Sequence, residues 1–271
     1  ADAAVLDALV QLSRSDAALE PSILAGLSLS GGHPAVLQHA RQRLAAGDLG
    51  PKALGFVAAI LAREAPRDLL DALLGEMTST TSRARRVLEL LDAACTLRQV
   101  RDEDLPLLEQ AAGAALSWGR DHPTVRPDDG RSGSAEAPRS SAEAPRTTAA
   151  DVAGFVRAAA RVAKGRSRAL VPAYAEAVIA LVAGGAASRR VLTEWLAEGI
   201  AVGGDGFVRA LLDGPSSGPG VPADVAAELI LALRAAMDER AWEQSQPLVQ
   251  AALGRMPAEV RLRTEAALRS G

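Results

Sequence analysis

Residues 51–77 read PKALGFVAAILAREAPRDLLDALLGEM, and this stretch decides the fold of the 271-residue chain. Pro51 and Pro66 each stand where a helix can begin, because the first turn of a helix does not need the amide hydrogen that proline lacks. After each proline, large apolar residues recur at helical spacing: Leu54, Val57, Ile60 and Leu61, then Leu69, Leu70, Leu73, Leu74 and Met77. The stretch therefore predicts two short helices, joined by a tight turn, that stack as an antiparallel pair.

The composition extends this prediction to the whole chain. Hydrophobic residues make up 48% of the sequence but aromatic residues only 3%, so the core must consist mainly of Ala, Leu and Val. These side chains favour helices, whereas a sheet core would need more β-branched and aromatic residues. We therefore expect an all-α protein, with about fourteen helices and no strand.

Two parts of the helical pattern carry specific expectations. The helix at 83–97 has an apolar face, and Arg86 is expected to point outward from it. Residues 189–202 and 205–213 are expected to form two helices, because the Gly203-Gly204 pair between them is typical of a turn.

A low-complexity segment at 124–148 divides the helical pattern. It contains the near-repeat SAEAPR at 134–139 and 141–146 and almost no large apolar residue, so it cannot bury enough surface to offset its ordering entropy. We interpret it as a linker or a long disordered or surface loop. The segment separates an N-terminal helical half, 1–123, from a C-terminal half, 149–271.

The architecture that best fits this pattern is an irregular α-solenoid of HEAT-like helix pairs, interrupted by the 124–148 loop. The helical pattern is alike on both sides of the loop, which favours one stack of helices. Two compact helical bundles joined by a tether are the alternative.

The distribution of charge gives no general footprint for nucleic acid. The formal net charge is −3, and a nucleic-acid-binding domain usually carries a basic patch. Residues 1–122 hold 12 basic and 16 acidic side chains, and residues 149–271 hold 14 basic and 13 acidic ones. The first half is thus acidic and the second nearly neutral.

The sequence predicts no catalytic, cofactor or metal site. Cys95 is the only cysteine, and His33 and His39 are six residues apart without a ligand partner at metal spacing. Gly203-Gly204-Asp205-Gly206 follows a helix and lacks the strand that precedes a phosphate-binding loop. No long apolar run or leader is present, so we expect no membrane span and a cytoplasmic location.

One basic arrangement is a candidate binding site for an acidic protein surface or a phosphate-bearing ligand. Arg157, Arg161, Lys164 and Arg168 fall at i, i+4, i+7 and i+11, so they line one side of a helix if one helix continues through all four. Gly165 is expected to end the helix before Arg168. An ordinary solvated helix face is the alternative interpretation. The candidate residues are Arg157, Arg161, Lys164 and Arg168, together with Arg189 and Arg190.

Four aromatic side chains are candidate anchors if the protein binds a partner on a concave surface. They are too far apart in sequence for a stacking platform, so contacts between helices are the alternative role. These residues are Trp118, Tyr174, Trp195 and Trp242.

Residues 205–263 contain DGFVRALLDG, a Leu/Ala helix and DERAWEQSQPLVQAALGRMPAEVRLR. This order resembles the C-terminal helical region of an uncharacterised family of large bacterial proteins, which is associated with MoxR-type AAA+ ATPases and von Willebrand A-domain proteins. The family usually has an aromatic residue at the position of Leu253. In this chain Pro247 and Pro257 are also expected to begin helices. The matching residues are Trp242, Pro247, Leu248, Leu253, Pro257, Glu259 and Arg261.

The resemblance implies a scaffold or adaptor within an ATPase-linked bacterial assembly. Together with the helix pattern, it leads us to expect a non-catalytic protein that mediates protein–protein interaction. The alternatives are a helical-repeat protein that binds nucleic acid through the Arg157–Arg190 region, and a protein that binds a small ligand between helices.

Overall fold

The computed structural model describes residues 3–15, 19–30, 32–79, 84–125, 146–214 and 220–270. Within these residues the chain forms thirteen α-helices, which confirms the predicted all-α class. The helices are α1 Ala3–Ser15, α2 Glu20–Ser28, α3 Pro34–Ala46, α4 Pro51–Glu64, α5 Pro66–Thr78, α6 Ala84–Ala94, α7 Leu105–Asp121, α8 Thr148–Ala163, α9 Leu170–Ala183, α10 Arg189–Asp213, α11 Ala223–Ala236, α12 Glu239–Gly254 and α13 Ala258–Ser270.

Proline and glycine set the helix boundaries as the sequence predicts. Helices α3, α4 and α5 begin at Pro34, Pro51 and Pro66, where the fixed φ of proline suits the first turn. Helix α3 ends at Gly47, whose φ of 77° is left-handed and therefore favours glycine over other residues.

The chain divides into two compact units, Ala1–Ala158 and Ala159–Gly271. In the first unit, α1 packs on α2, α3 packs on α4, and α5 packs on both α4 and α6. Helices α2, α4 and α6 pack in one row, while α1 packs on α3 and α5 packs on α7 in the other. This stacking of helix pairs is typical of a helical-repeat fold.

In the second unit, α10 and α11 make most of the contacts between helices. Helix α10 packs on α9, α11 and α12, and α11 packs in addition on α9, α12 and α13. The boundary between the units falls inside α8, so that the first turns of α8 belong with the first unit. Among the described residues, no helix is both long enough and apolar enough to cross a membrane.

The core consists mainly of Ala, Leu and Val, as the composition predicts. Leu24, Leu61 and Leu90 are completely buried in the first unit, and Val178 and Leu229 are completely buried in the second. Alanine side chains at positions such as 58, 111 and 175 are also completely buried. Small side chains let neighbouring helices pack closely, which compensates for the scarcity of aromatic residues.

A short pairing of strands holds the ends of the 126–145 segment side by side. β1, Thr124–Val125, pairs antiparallel with β2, Arg146–Thr147. Beside the pair, the buried hydroxyl of Thr148 donates to the carbonyl of His122 at 2.6 Å. The chain therefore leaves and returns at one place in the first unit. The SAEAPR repeats, apart from Arg146, lie outside the described residues.

Polar side chains connect the first three helices. Arg43 on α3 donates from Nε to Glu20 Oε1 at 2.5 Å, and a second nitrogen donates to Oε2 at 3.1 Å. The hydrogen bond to Glu20 raises the pKa of Arg43 above its usual value, against the opposing effect of burial. On α1, Ser13 Oγ lies 3.1 Å from Nε2 of His39 on α3, and both residues are buried.

The break predicted between 189–202 and 205–213 is present as a kink within α10 rather than as a turn between separate helices. Gly204 has φ 51° and ψ −139°, outside the helical region. The kink places the buried ring of Phe207 against Gly199. A Cβ at Gly203 would lie 2.6 Å from Val171 and 2.9 Å from Phe207 Cβ, so the close approach requires glycine there.

The prediction that Pro247 begins a helix is wrong, because it lies inside α12. The helix begins earlier, where Asp238 caps it by accepting a hydrogen bond from the amide of Ala241 at 2.8 Å. Pro247 is exposed, so the carbonyl that loses its helical partner faces solvent. Pro257 immediately precedes α13, as predicted.

Replacing Gly199 with alanine is expected to destabilise the protein by roughly 2–3 kcal/mol, because the new Cβ would overlap the Phe207 ring. Gly206→Ala on the same helix is the control, since a Cβ there meets nothing within 4 Å, and its effect should stay within about 1 kcal/mol. Urea unfolding of the full chain measures both. Equal effects of the two substitutions would contradict the packing described for the kink.

Replacing Ser13 with alanine is expected to cost about 1 kcal/mol of unfolding free energy, because the buried His39 ring loses the Ser13 hydroxyl. Ser15→Ala is the matched control, since its exposed hydroxyl only donates to the Leu12 carbonyl of its own helix. The control should change stability by less than about 0.5 kcal/mol. Thermal unfolding at neutral pH compares the two variants, and a larger loss for Ser15→Ala would speak against the buried hydrogen bond.

Candidate functional site

A cleft with a volume of about 710 Å³ lies between α3 and α5 in the first unit. Leu44 and Ala45 contribute one wall from the last turns of α3, and Ala72 and Gly75 contribute the facing wall from α5. Arg86 enters from the first turn of α6. The cleft lies between the packed pairs α1–α3 and α5–α7, where the row of helices opens.

Arg86 joins the three helices that form the cleft. Its two terminal nitrogens donate to the carbonyls of Leu44 at 3.0 Å and Gly47 at 3.1 Å, which the end of α3 leaves without helical partners. Its Nε lies 2.5 Å from Glu76 Oε1 on α5 as an ion pair, without meeting hydrogen-bond geometry. The prediction that Arg86 points outward is therefore wrong, since only 12% of its side chain is exposed.

The rim of the cleft carries a second ion pair and a less closely paired carboxylate. Arg41 donates from Nε to Asp68 Oδ2 at 2.6 Å, which bridges α3 and α5 across the opening. Asp71 Oδ2 lies 3.9 Å from Arg67 Nε, and Arg67 is shared with the buried Asp104, to which it donates at 3.2 Å. Of the three carboxylates that line the cleft, Asp71 therefore has the longest ion-pair distance.

The electrostatic balance of the cleft is negative. Two arginines, Arg41 and Arg86, face three carboxylates, Asp68, Asp71 and Glu76. The C-terminal ends of α3 and α5 also meet here, and each adds a partial negative charge, while the start of α6 and the start of α5, where Asp68 lies, add the opposite sign. The charges of the lining side chains therefore favour a cation over an anion.

The structure does not bring the predicted basic residues into one patch. Arg157 is half-buried on α8, and Arg161 is exposed one turn later. Helix α8 ends at Ala163, and Lys164 follows with a left-handed φ of 47°, so Lys164 and Arg168 leave the predicted helical line. Of the predicted basic residues, Arg161, Lys164 and Arg168 remain near one another at the end of α8.

Arg189 and Arg190 lie at the opposite end of α9 from the α8–α9 connection. Helix α9 has 14 residues, which places its two ends about 20 Å apart. Arg190 donates to Glu194 at 3.2 Å, one turn along α10. Residues that are near in sequence are therefore separated by the length of a helix.

Arg166, beside the predicted set, has a structural role. Its guanidinium group donates to the carbonyls of Val162 and Ala163, both at 3.1 Å, at the end of α8. This contact satisfies carbonyls that have no helical partner and places a cation at the negative end of the helix. Within the described residues, Arg161, Lys164, Arg168 and Arg189 form no ion pair.

Three of the four candidate aromatic anchors are buried. Trp118 stacks on His122 with ring centroids 4.9 Å apart. Tyr174 donates its hydroxyl to the Trp195 carbonyl at 2.8 Å and is 1% exposed. Trp242 lies beneath the Arg234 guanidinium, which is 5.4 Å from the ring centroid. These three rings pack between helices, and only Trp195 is half-buried.

In the part of the chain that the structure describes, no group of three or more His, Cys, Asp or Glu side chains is placed so that it could hold a metal ion. Cys95 is half-buried at the end of α6, with Sγ close to Gly154 of α8.

Comparisons of the chain with family models, with curated proteins and with solved structures found no match.

The cleft was missed at the level of the sequence, because each of its charged residues lies on an ordinary amphipathic helix. Arg41 and Asp68 are 27 residues apart, and Arg86 lies 42 residues from Leu44. Arg86 falls in the first turn of its helix, where a cation opposes the helix dipole, but the exposed Arg85 shares that position. The sequence therefore does not single out Arg86.

Arg86→Met is expected to destabilise the protein by roughly 2–3 kcal/mol, because the Leu44 and Gly47 carbonyls lose their donor and Glu76 loses its ion pair. Arg85→Met is the control, since Arg85 is the exposed neighbour on the same helix, and should change stability by less than about 0.5 kcal/mol. Urea unfolding measures both. A result in which the two substitutions are equivalent would contradict the role given to Arg86.

Proposed function

We propose that the protein is a non-catalytic helical scaffold or adaptor that binds another protein. The observation that supports it best is the open cleft between α3 and α5 in a stack of paired helices. Stacked helical repeats present extended surfaces to their partners. A groove between two neighbouring helices can hold a helix or an extended segment of such a partner.

The lining of the cleft favours a protein segment over a small ligand. Small-molecule sites are mostly apolar with few polar groups, whereas five charged side chains line this cleft, and four of them are joined in two ion pairs. Charged groups spread along an open groove are typical of a surface that recognises another charged surface.

Nucleic-acid binding is the second candidate function. It is supported by Arg161, Lys164 and Arg168, three exposed cations within eight residues that form no ion pair among the described residues. The separation of Arg189 and Arg190 from this cluster by the length of α9 counts against a continuous basic stripe. Binding of a labelled duplex that weakens steeply with salt would support this candidate over the scaffold.

The resemblance of the C-terminal part extends the proposal to an ATPase-linked bacterial assembly in the cytoplasm. The matching residues Trp242, Pro247 and Leu253 lie on α12. Trp242 and Leu253 are buried there, so they shape the second unit and are not available as contacts. In this proposal the catalysis of the assembly resides in another protein.

Affinity capture with the full chain tests the proposed function. From an extract of the cells that make the protein, we expect a small number of proteins to be enriched over a tag-only control. At least one of them should form a complex of defined stoichiometry with the purified chain, as measured by light scattering. The scaffold proposal fails if no such complex forms and the purified chain instead turns over a metabolite or binds duplex at physiological salt.

A further inference from the structure

We propose that the cleft between α3 and α5 is the docking site for a basic side chain, arginine or lysine, carried by a segment of the partner protein. This inference rests on the proposed scaffold function and specifies the chemistry of what it binds. It depends on three features of the cleft: its charges, the helix ends that meet in it, and the size of the side chains along its walls.

The arrangement of ion pairs leaves Asp71 as the carboxylate available to a ligand. Glu76 is compensated by Arg86 at 2.5 Å, and Asp68 is compensated by Arg41 at 2.6 Å. Asp71 has its partner Arg67 at 3.9 Å, and 57% of its side chain is exposed. A guanidinium or ammonium group can therefore approach Asp71 with little loss of solvation and without breaking either of the shorter pairs.

The helix ends reinforce this preference. The last turns of α3 and α5 both lie at the cleft, and each adds a partial negative charge there. Arg86 demonstrates the preference within the fold, since its guanidinium donates to two carbonyls at the end of α3. A cation bound at Asp71 would lie in the same cleft as these two helix ends.

The walls of the cleft suit an unbranched side chain. Ala45, Ala72 and Gly75 line it, and a Cβ built at Gly75 would meet nothing within 4 Å. The methylene stem of arginine or lysine can lie along such small residues while its charged end stays solvated. Leu44, which is 8% exposed, provides an apolar contact for that stem at the base of the cleft.

The test uses two short peptides, Ala-Ala-Arg-Ala-Ala and Ala-Ala-Glu-Ala-Ala, titrated into the isotope-labelled full chain at low ionic strength. We expect saturable changes in backbone amide chemical shifts for residues 44–47 and 71–79 with the arginine peptide alone. Binding should be weak, because one exposed charge pair contributes little. Binding of the glutamate peptide at these residues, or no saturable change with either peptide, would overturn the proposal.

Two substitutions should act in opposite directions. Asp71→Asn removes the available carboxylate and is expected to weaken the arginine peptide about twofold to fivefold, whereas Arg41→Gln releases Asp68 and should strengthen it by a similar factor. Asp92→Asn, at an exposed position on α6 that does not line the cleft, is the control and should leave the affinity unchanged. Both cleft positions are exposed enough that folding should be retained, which thermal unfolding checks.

The failure of this inference and the failure of the scaffold function are distinguishable. If a partner is captured and reconstituted with purified components but its affinity is the same for Asp71→Asn and wild type, the scaffold stands and the cleft is not its docking site. If Asp71→Asn and Arg41→Gln shift the affinity in the same direction, the charge argument is overturned even where the peptide binds.

Discussion

The guanidinium group of Arg86 connects three helices of the first unit. It donates to two carbonyls at the end of α3 and forms an ion pair with Glu76 of α5, and Arg86 itself lies in the first turn of α6. Because these contacts lie at the base of the cleft, α3 and α5 can stand apart above them. The separation of the two helices is therefore stabilised by two sets of contacts: those of Arg86 at the base of the cleft, and the ion pair between Arg41 and Asp68 at its rim.

The helical framework was predictable because proline and glycine mark it along the sequence. Pro34, Pro51 and Pro66 each begin a helix, and Gly47 ends one. These boundaries depend on local backbone preferences, which act without knowledge of the rest of the fold. The composition of the core followed as directly, because a sequence poor in aromatic residues has mainly Ala, Leu and Val with which to fill it.

The candidate site was not predictable, since it depends on contacts between residues far apart in the chain. The helical pattern at 83–97 places Arg86 on the polar face, and only the fold shows that this face meets the ends of α3 and α5. The reverse holds for the basic residues at 157–190, which are near in sequence but lie at both ends of α9. Distance along the sequence was therefore a poor guide in both cases. A helix separates residues that are near in sequence, and packing brings residues that are far apart in sequence into contact.

The buried contact between Ser13 and His39 has a consequence for the orientation of α1. Leu6 and Val10 face inward, but Val5 and Leu12 form a second apolar stripe, which lies roughly 130° around the helix and is exposed. Each stripe offers two large apolar side chains for burial. The hydrogen bond at Ser13 exists only in the orientation in which Leu6 and Val10 face inward. A polar pair that adds little to stability thus selects the rotational register of the helix.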